Sequence, residues 1–148
     1  MNIRRAERRD LLQLTLMFNQ YRLFYHQRQD LQGCKTFIKR RLENNDSFIF
    51  VAVIDAQLVG FVQLYSSFSS VAMEKIYILN DLYVLDGFRN QSVANKLMIR
   101  AEEFANNNQA SRLVLETHKN NVPAQNLYVK RGWKQDNDTF YYNYNCRN

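Results

Sequence analysis

Two short stretches of the sequence combine residue types and spacings that suit chemistry. The first is DLYVLDGFRNQSVANKL, residues 81–97, in which an apolar strand passes through a short turn into a helix. Backbone N–H groups from Gln91 to Asn95 would point out of the start of that helix, where the macrodipole is positive. Such a helix start binds a pyrophosphate without a basic side chain, and Arg89 adds positive charge beside it. The stretch therefore predicts a phosphate-binding loop, although residues 89–94 contain no glycine.

The second stretch is NNVPAQNLYVKRGW, residues 120–133. Tyr128 lies four residues beyond Ala124, and residues four apart share one face of a helix. If this helix packs beside the turn of the first stretch, the phenol can point into the cleft between two parallel strands. The spacing is equally typical of a core aromatic residue.

Acidic and imidazole side chains near these stretches are candidates for accepting a proton. Asp81 lies on the apolar strand, Glu116 near the end of the next strand, and His118 just after it. Asp81 and Asn80 point to opposite faces of a regular strand, so only one of them can face the cleft. A structural carboxylate and an exposed loop histidine are the alternative interpretations of Asp81 and His118.

Hydrophobic periodicity predicts the helices that must position these residues. Apolar residues at helical spacing indicate one helix over residues 11–25 and a shorter one around residues 37–42. A third covers residues 93–105, and a fourth begins near Pro123 and ends at Gly132. Proline is acceptable in a first turn, and glycine is a common C-terminal cap.

Strand-like segments lie at residues 2–6, 47–54, 58–65, 75–84 and 112–117. The short DAQ turn after the second of them predicts a hairpin. A helix separates the last two, so we expect them to run parallel. The serine-rich segment SSFSS, residues 66–70, is typical of a connection, and WKQDNDTFYYNYN, residues 133–145, predicts a closing hairpin.

Composition restricts the class of protein. The 148 residues are 46% hydrophobic with four glycines and one proline, which indicates a single globular domain over residues 1–148. The longest apolar run, Phe48–Ile54, is too short to span a bilayer, and the N-terminus lacks the apolar stretch of a secretory signal. Cys34 and Cys146 show no metal-ligand pattern and are interpreted as reduced thiols of a cytoplasmic protein.

Charge favours an anionic partner. Twenty Lys and Arg residues against fourteen Asp and Glu residues give a net charge of +6, which suits nucleic acid or a phosphate-rich cofactor. No DNA- or RNA-binding signature accompanies the basic clusters, so solvated ends of helices and strands explain them better. We therefore predict no nucleic-acid partner and no membrane partner.

Taken together, the two stretches resemble the GNAT superfamily of acyl-CoA-dependent N-acetyltransferases. The family's acetyl-CoA loop reads R/Q-x-x-G-x-G/A, and RNQSVA supplies Arg89, Ser92 and Ala94 at its defined positions. The family's second motif, N-x-x-A-x-x-L-Y-x-K-x-G-F, is matched by Asn121, Ala124, Leu127, Tyr128, Lys130, Gly132 and Trp133. The element order also agrees, so the resemblance covers nearly the whole chain. Residues 66–84 further resemble the branch of spermidine/spermine and yeast histone- and polyamine-type acetyltransferases.

The resemblance implies a mixed α/β (α+β) fold. Its sheet would be mostly antiparallel, with about six or seven strands, about four flanking helices and a central pair of parallel strands that splay apart. It also implies acetyl-CoA as co-substrate and no metal. The residues that would hold acetyl-CoA are Leu82, Tyr83, Val84, Arg89, Asn90, Gln91, Ser92, Val93, Ala94, Asn95, Asn121, Ala124, Tyr128 and Lys130.

The resemblance further implies a mechanism of direct attack by an amine in a ternary complex. A backbone N–H within residues 82–84 would stabilise the tetrahedral oxyanion, and Tyr128 would protonate the departing CoA thiolate. Similar polyamine acetyltransferases carry glutamate where this chain has Asn80, which cannot take a proton at neutral pH. The base is therefore Asp81, which we favour, or Glu116, or a water relay.

The expected acceptor is the primary amine of a small molecule. A protein lysine or N-terminal amine is the alternative acceptor, and a non-catalytic CoA-binding domain is the alternative function. The aromatic residues near the C-terminus predict a homodimer. A serine with positive φ at residue 92 would cost about 1–2 kcal/mol of backbone strain, which is about a tenfold loss in cofactor affinity if it is taken wholly from binding.

Overall fold

A sheet with three helices forms the larger part of the structure, a computed structural model that describes residues 1–147. The described chain divides into two compact units, Met1–Glu116 and the residues from Thr117 onward. The strands of the first unit are β1 (Asn2–Arg5), β2 (Phe48–Ile54), β3 (Gln57–Ser69), β4 (Glu74–Val84) and β5 (Arg112–Val114). Its helices are α1 (Leu11–Phe24), α2 (Leu31–Asn44) and α3 (Val93–Asn107), with 3-10 turns at Arg8–Asp10 and Asp86–Phe88. The second unit contains α4 (Val122–Lys130).

The predicted mixed α+β class with four helices is confirmed. The strands lie in the order β1-β2-β3-β4-β5, so the described residues form five strands rather than the predicted six or seven. The first four are antiparallel to their neighbours, whereas β5 runs parallel to β4 after the α3 crossover, as predicted. No helix within residues 1–147 has the length and apolar character needed to cross a membrane.

The parallel pair separates early. β4 and β5 are paired from Ile76↔Arg112 to Ile78↔Val114, and β4 then continues from Leu79 to Val84 without a strand on that edge among the described residues. This is the predicted splay of the two parallel strands.

The predictions for two segments, residues 66–70 and residues 133–145, are wrong. The serine-rich segment is not a loop: Ser66 to Ser69 continue β3 and pair with β4 as far as Glu74. Residues 133–145 contain no strand in the described chain, so the closing hairpin is absent there. In this segment the Asp136 carboxylate accepts hydrogen bonds from the Asp138 N–H (2.8 Å) and the Thr139 hydroxyl (2.7 Å), which holds a local turn.

A β-bulge in the middle of β4 reverses the face of the sheet to which its odd-numbered residues point. Gln63 of β3 pairs with Asp81 and Leu64 pairs with Leu79, so Asn80 has no partner across the ladder. Paired residues point to the same face of a sheet, and the neighbours Gln63 and Leu64 point to opposite faces. Asp81 and Leu79 therefore also point to opposite faces.

The two halves of β4 consequently serve different layers. Before the bulge, the Tyr77 ring lies 5.3 Å from the Phe104 ring of α3. After the bulge, the Tyr83 ring lies 6.0 Å from Tyr21 and 6.4 Å from Phe24, both on α1. The end of β4 thus belongs to the layer of α1 and α2.

Each layer has its own apolar core. The α1–α2 core is the cluster of Ala6, Leu14, Met17, Phe18, Cys34, Ile38, Ile49, Val51, Leu58, Phe61 and Tyr83. On the other face, α3 buries Val93, Leu97, Ala101 and Ala105, which recur every four residues. These stripes are the helical periodicity visible in the sequence.

Candidate active site

The loop between β4 and α3 adopts a left-handed backbone at two residues that are not glycine. Asn90 has φ 59°, and Ser92, the residue before α3, has φ 62° and ψ 12°. Asparagine tolerates this region, whereas serine is strained there. The positive φ considered for residue 92 is therefore present.

The start of α3 keeps its first-turn amides clear of the Ser92 side chain. The Ser92 hydroxyl makes no capping hydrogen bond, and the first helical bond runs from the Lys96 N–H to the Ser92 carbonyl at 3.0 Å. Residues before Lys96, such as Val93 and Ala94, have no carbonyl four residues back within the helix. This geometry is the one that binds anions at helix N-termini.

The side chain of Arg89, at the start of this loop, already bonds to other residues of the protein. Its Nε donates to the Val84 carbonyl at 3.1 Å, and its terminal nitrogen lies 2.8 Å from the Asp86 carboxylate. The guanidinium carbon also lies 5.5 Å from the Phe24 ring centre and 5.6 Å from that of Tyr83. Next to it, the Gln91 side chain donates to the Gly87 carbonyl at 3.1 Å.

The last residues of β4 are held on one edge only. Leu82, Tyr83 and Val84 pair with β3, and beyond Ile78 no strand occupies the other edge in residues 1–147. Tyr83 and Val84 are buried and Leu82 is half-buried. The main chain of these residues is thus the part of the sheet where an extended ligand could pair.

Asp81 lies almost fully buried at the centre of a hydrogen-bond network. Only 4% of the residue is exposed; its carboxylate accepts from the Gln63 amide at 2.6 Å and the Asn80 amide at 3.1 Å. Gln63 in turn accepts from the Ser47 hydroxyl at 2.8 Å. Burial raises the pKa of Asp81 above 3.8, while hydrogen bonds from Gln63, Tyr21 and Asn80 oppose the rise.

Two phenols next to Asp81 are held in their protonated form. Burial, together with the Asp81 carboxylate, raises the pKa of Tyr21 far above its usual value. Burial first and the Asp81 charge second raise the pKa of Tyr65 to about 12. The Tyr21 ring also contacts Tyr25 at 5.1 Å and Phe61 at 5.7 Å, so Asp81 lies beside an aromatic wall.

Sequence patterns missed Tyr21, Gln63 and Ser47. Gln63 offered one signal, because it is a single amide in the apolar segment LVGFVQLY and a buried amide needs partners. Nothing in the sequence indicated that the partners would be Asp81 and Ser47.

In the second unit, the segment from Asn121 to Gly132 forms a short capped helix. The Asn121 side chain accepts from the Ala124 N–H at 3.4 Å, and Lys130 is the last residue of α4. Gly132 follows with φ 85°, as expected for a C-terminal cap. The Tyr128 ring lies 6.2 Å from the Trp133 ring.

No group of His, Cys, Asp or Glu side chains suited to a metal ion occurs in the part of the chain that the structure describes. Glu116 is the last residue of the first unit, and His118 belongs to the second, where its carbonyl accepts from the Gln125 amide at 3.1 Å.

Comparison with known proteins places this chain in a family. The model of the acetyltransferase (GNAT) family matches residues 10–133. An uncharacterized N-acetyltransferase of Bacillus subtilis, YhfO, is 43% identical over 142 residues, which are 96% of this chain and 95% of that protein. The crystal structure of a probable acetyltransferase superposes with a TM-score of 0.94 at 33% identity and covers 100% of this chain and 99% of that one.

A third relative has a named substrate. Streptothricin acetyltransferase of Escherichia coli is 34% identical over 99 residues, 67% of this chain and 54% of that protein. The narrower resemblance to spermidine/spermine and yeast histone- and polyamine-type acetyltransferases has no support among these relatives. Family members take their acetyl group from acetyl-CoA, and the chain belongs to the GNAT family as an acyl-CoA-dependent acetyltransferase.

Proposed function

We propose that this chain transfers the acetyl group of acetyl-CoA to the primary amine of a small molecule within a ternary complex. The observation that carries the proposal is the loop before α3. Although residues 89–94 contain no glycine, this loop has a left-handed backbone at Ser92, immediately before the first-turn amides of α3. These amides would bind the pyrophosphate, and the single-edged end of β4, Leu82 to Val84, would pair with the pantetheine arm.

The amine must lose a proton before it attacks, since alkylamines have pKa values of about 10 in water. Asp81 is our preferred base. Its burial leaves too little surface for direct contact with a bulky acceptor, so we propose that an ordered water carries the proton to it. Glu116 is the alternative base.

The bond changes are those of a direct acyl transfer. The amine nitrogen bonds to the thioester carbonyl carbon, a backbone N–H of β4 stabilises the oxyanion, and the carbon–sulfur bond then breaks. The Tyr128 hydroxyl donates its proton to the departing thiolate. The proton that remains on nitrogen passes through water to restore the Tyr128 hydroxyl, and the base releases the first proton to solvent.

A small acceptor is supported by the streptothricin acetyltransferase relative, which acts on a small molecule by its name. The half-buried rings of Tyr21 and Tyr25 beside Asp81 suit an amine-bearing ligand, because ring faces attract cations. A protein lysine or N-terminal amine is the second candidate acceptor. A non-catalytic CoA-binding role is the second candidate function, favoured by the strained Ser92 and by Asn80.

An acceptor screen tests the proposal. Purified protein is incubated with acetyl-CoA and a panel of aminoglycosides, streptothricin, polyamines, amino acids and lysine peptides, and mass spectrometry detects a gain of one acetyl group. We expect acetylation of a small-molecule amine. Exclusive acetylation of peptides would replace the small acceptor by a protein, and acetyl-CoA binding without any transfer would support the non-catalytic role.

We also propose a homodimer with a cytoplasmic location. Phe140, Tyr141, Tyr142 and Tyr144 are strongly exposed in this structure, which suits a contact with a second copy. Cys34 is buried and Cys146 exposed, and both are free thiols. Light scattering of the purified protein would give the mass, and a monomer would contradict the dimer.

A further inference from the structure

Arg89 connects three parts of the first unit. Its Nε bonds to the Val84 carbonyl at the end of β4, and its guanidinium lies over Phe24, the last residue of α1. It also lies over Tyr83 of β4 and pairs with Asp86 in the following 3-10 turn. One side chain thus joins α1, β4 and the loop that leads to α3.

These contacts leave Arg89 poorly placed as a phosphate ligand. The charge of Asp86 offsets that of Arg89, and two aromatic faces already receive the guanidinium. A pyrophosphate would have to draw the side chain away from all of these partners. The ion pair itself contributes little, because the side chains of Arg89 and Asp86 are 41% and 83% exposed. The ring contacts and the hydrogen bond to Val84 are therefore the main ties.

The loop that follows has a reason to be tied down. Asn90 and Ser92 both hold left-handed backbone conformations that glycine would adopt without strain. A strained loop keeps its shape only where its surroundings determine it. Arg89 immediately precedes these residues and supplies such contacts.

We propose that Arg89 is a positioning residue that fastens the cofactor loop to α1 and so preorganises it, and that its side chain is not a ligand of the pyrophosphate. This inference rests on the proposed function and differs from the sequence prediction that Arg89 holds the cofactor. The helix to which Arg89 fastens the loop, α1, also carries Tyr21, whose hydroxyl donates a hydrogen bond to the Asp81 carboxylate.

Charge-preserving and charge-removing variants separate the two roles. Calorimetry at low and high salt gives the Kd of acetyl-CoA for the wild type, Arg89→Lys and Arg89→Ala. Lysine keeps the charge but lacks the Nε donor and the planar group that covers a ring. We expect both variants to weaken binding by a similar factor, about three- to tenfold, with the salt dependence of the wild type. Near-wild-type affinity in Arg89→Lys with a loss only in Arg89→Ala, or no loss in either, would overturn the proposal.

Arg100→Ala is the matched control. Arg100 also lies over a ring, Phe50 at 5.1 Å, and pairs with Glu103 three residues on, but it belongs to α3. The Arg100→Ala variant removes the same kinds of contact without altering the loop, so we expect it to bind acetyl-CoA with the Kd of the wild type.

Urea unfolding without ligand tests the tie to α1 directly. We expect Phe24→Leu and Arg89→Ala to be non-additive in the double variant, because each removes the same contact. Strict additivity would overturn the proposal. If the wild type fails to bind acetyl-CoA, the proposed function fails, and this second measurement still decides the role of Arg89.

Discussion

Asp81 holds its carboxylate where water is nearly excluded, and its protonation should govern activity. A base acts only when deprotonated, and burial raises the pKa of Asp81 above the ordinary carboxylate range. We therefore expect kcat/KM to rise with pH through that raised pKa. Asn80→Ala removes an opposing hydrogen bond and should move this rise to higher pH.

Rate measurements from acidic to neutral pH check this expectation, with Asp81→Asn as the decisive variant. The variant should lose the rise that belongs to Asp81 together with most of the activity. An unchanged pH profile in Asp81→Asn would assign the proton to Glu116 or to a water relay.

Tyr128→Phe addresses the proposed acid. The variant keeps the ring that lies beside Trp133 and loses only the hydroxyl. We expect kcat to fall about a hundredfold, in the range of general acid catalysis, with little change in the Kd of acetyl-CoA. Tyr141→Phe, at an exposed tyrosine of the same unit, is the control and should be silent. Unaltered turnover in Tyr128→Phe would refute its role as acid.

Ser92→Gly tests the strain in the cofactor loop. Glycine accepts φ near 60° freely, so activity should be preserved and acetyl-CoA binding should be equal or tighter, by about tenfold if the relieved strain goes wholly into binding. Ala94→Gly lies inside the first turn of α3, relieves no left-handed residue and should bring no gain. A large loss in Ser92→Gly, measured by calorimetry, would show that the serine hydroxyl makes an essential contact.

Among single residues, the sequence predicted those whose conformation depends on their neighbours along the chain. It missed those that are brought together by the pairing of distant segments. Ser92 falls where a known motif places a small residue, so its conformation could be foreseen. Tyr21, Ser47 and Gln63 reach Asp81 from separate elements, and only the register of β3 with β4 brings them together. Arg89 was assigned by its charge, whereas its neighbours decide where the guanidinium lies.

Among the elements, α3 lies close to the sheet at Gly60 of β3. A Cβ added there would lie 3.0 Å from the Tyr83 carbonyl oxygen, 3.1 Å from Val93 and 3.2 Å from Leu97. Two of these neighbours belong to the start of α3, beside the proposed pyrophosphate site. Because Gly60 has no side chain, the start of α3 can pack directly against β3 and β4.

We expect Gly60→Ala to lower the free energy of unfolding by about 1–3 kcal/mol, the usual cost of overpacking, and to weaken acetyl-CoA binding. Gly87→Ala is a matched control for stability, because a Cβ there meets nothing within 4 Å. Urea unfolding of both variants makes the comparison, and equal stabilities would contradict the close approach of α3.

Elements with a strong apolar period were predictable, and segments defined by composition were not. The four helices and the parallel β4–β5 pair were expected from spacing alone. Ser66 to Ser69 look like a loop by residue type, yet they pair with Glu74 to Tyr77 in the ladder, and pairing overrides propensity. The aromatic residues of segment 133–145 predicted strands. A strand also needs a neighbouring strand to pair with, and residue type alone does not provide one.

For the whole molecule, the net charge of +6 suits a ligand with several phosphates. Acetyl-CoA that binds the folded chain and not the unfolded chain should stabilise the folded protein. A ligand at one hundred times its Kd contributes about 2.7 kcal/mol. For a chain of this size we expect the melting temperature to rise by about 5–11 °C.

Thermal melts with and without acetyl-CoA measure this rise. ATP at the same concentration is the control, since it carries phosphates and adenine without the pantetheine arm, and we expect it to have a smaller effect. An unchanged melting temperature with acetyl-CoA would contradict both the catalytic and the non-catalytic CoA-based functions.

Because of the bulge at Asn80, the number of residues in β4 decides which side of the sheet each of its residues faces. Up to Leu79, odd-numbered residues build one side of the sheet, and from Asp81 onward they build the other. A residue inserted after Asn80, in a ladder that keeps one unpaired residue, would place Asp81 opposite Val62 and send Asp81 and Tyr83 into the layer of α3. Deletion of Asn80 would instead leave Leu79 and Asp81 adjacent and on opposite faces, as they are now. Insertion in this strand is therefore expected to disturb the two layers more than deletion of the bulge residue.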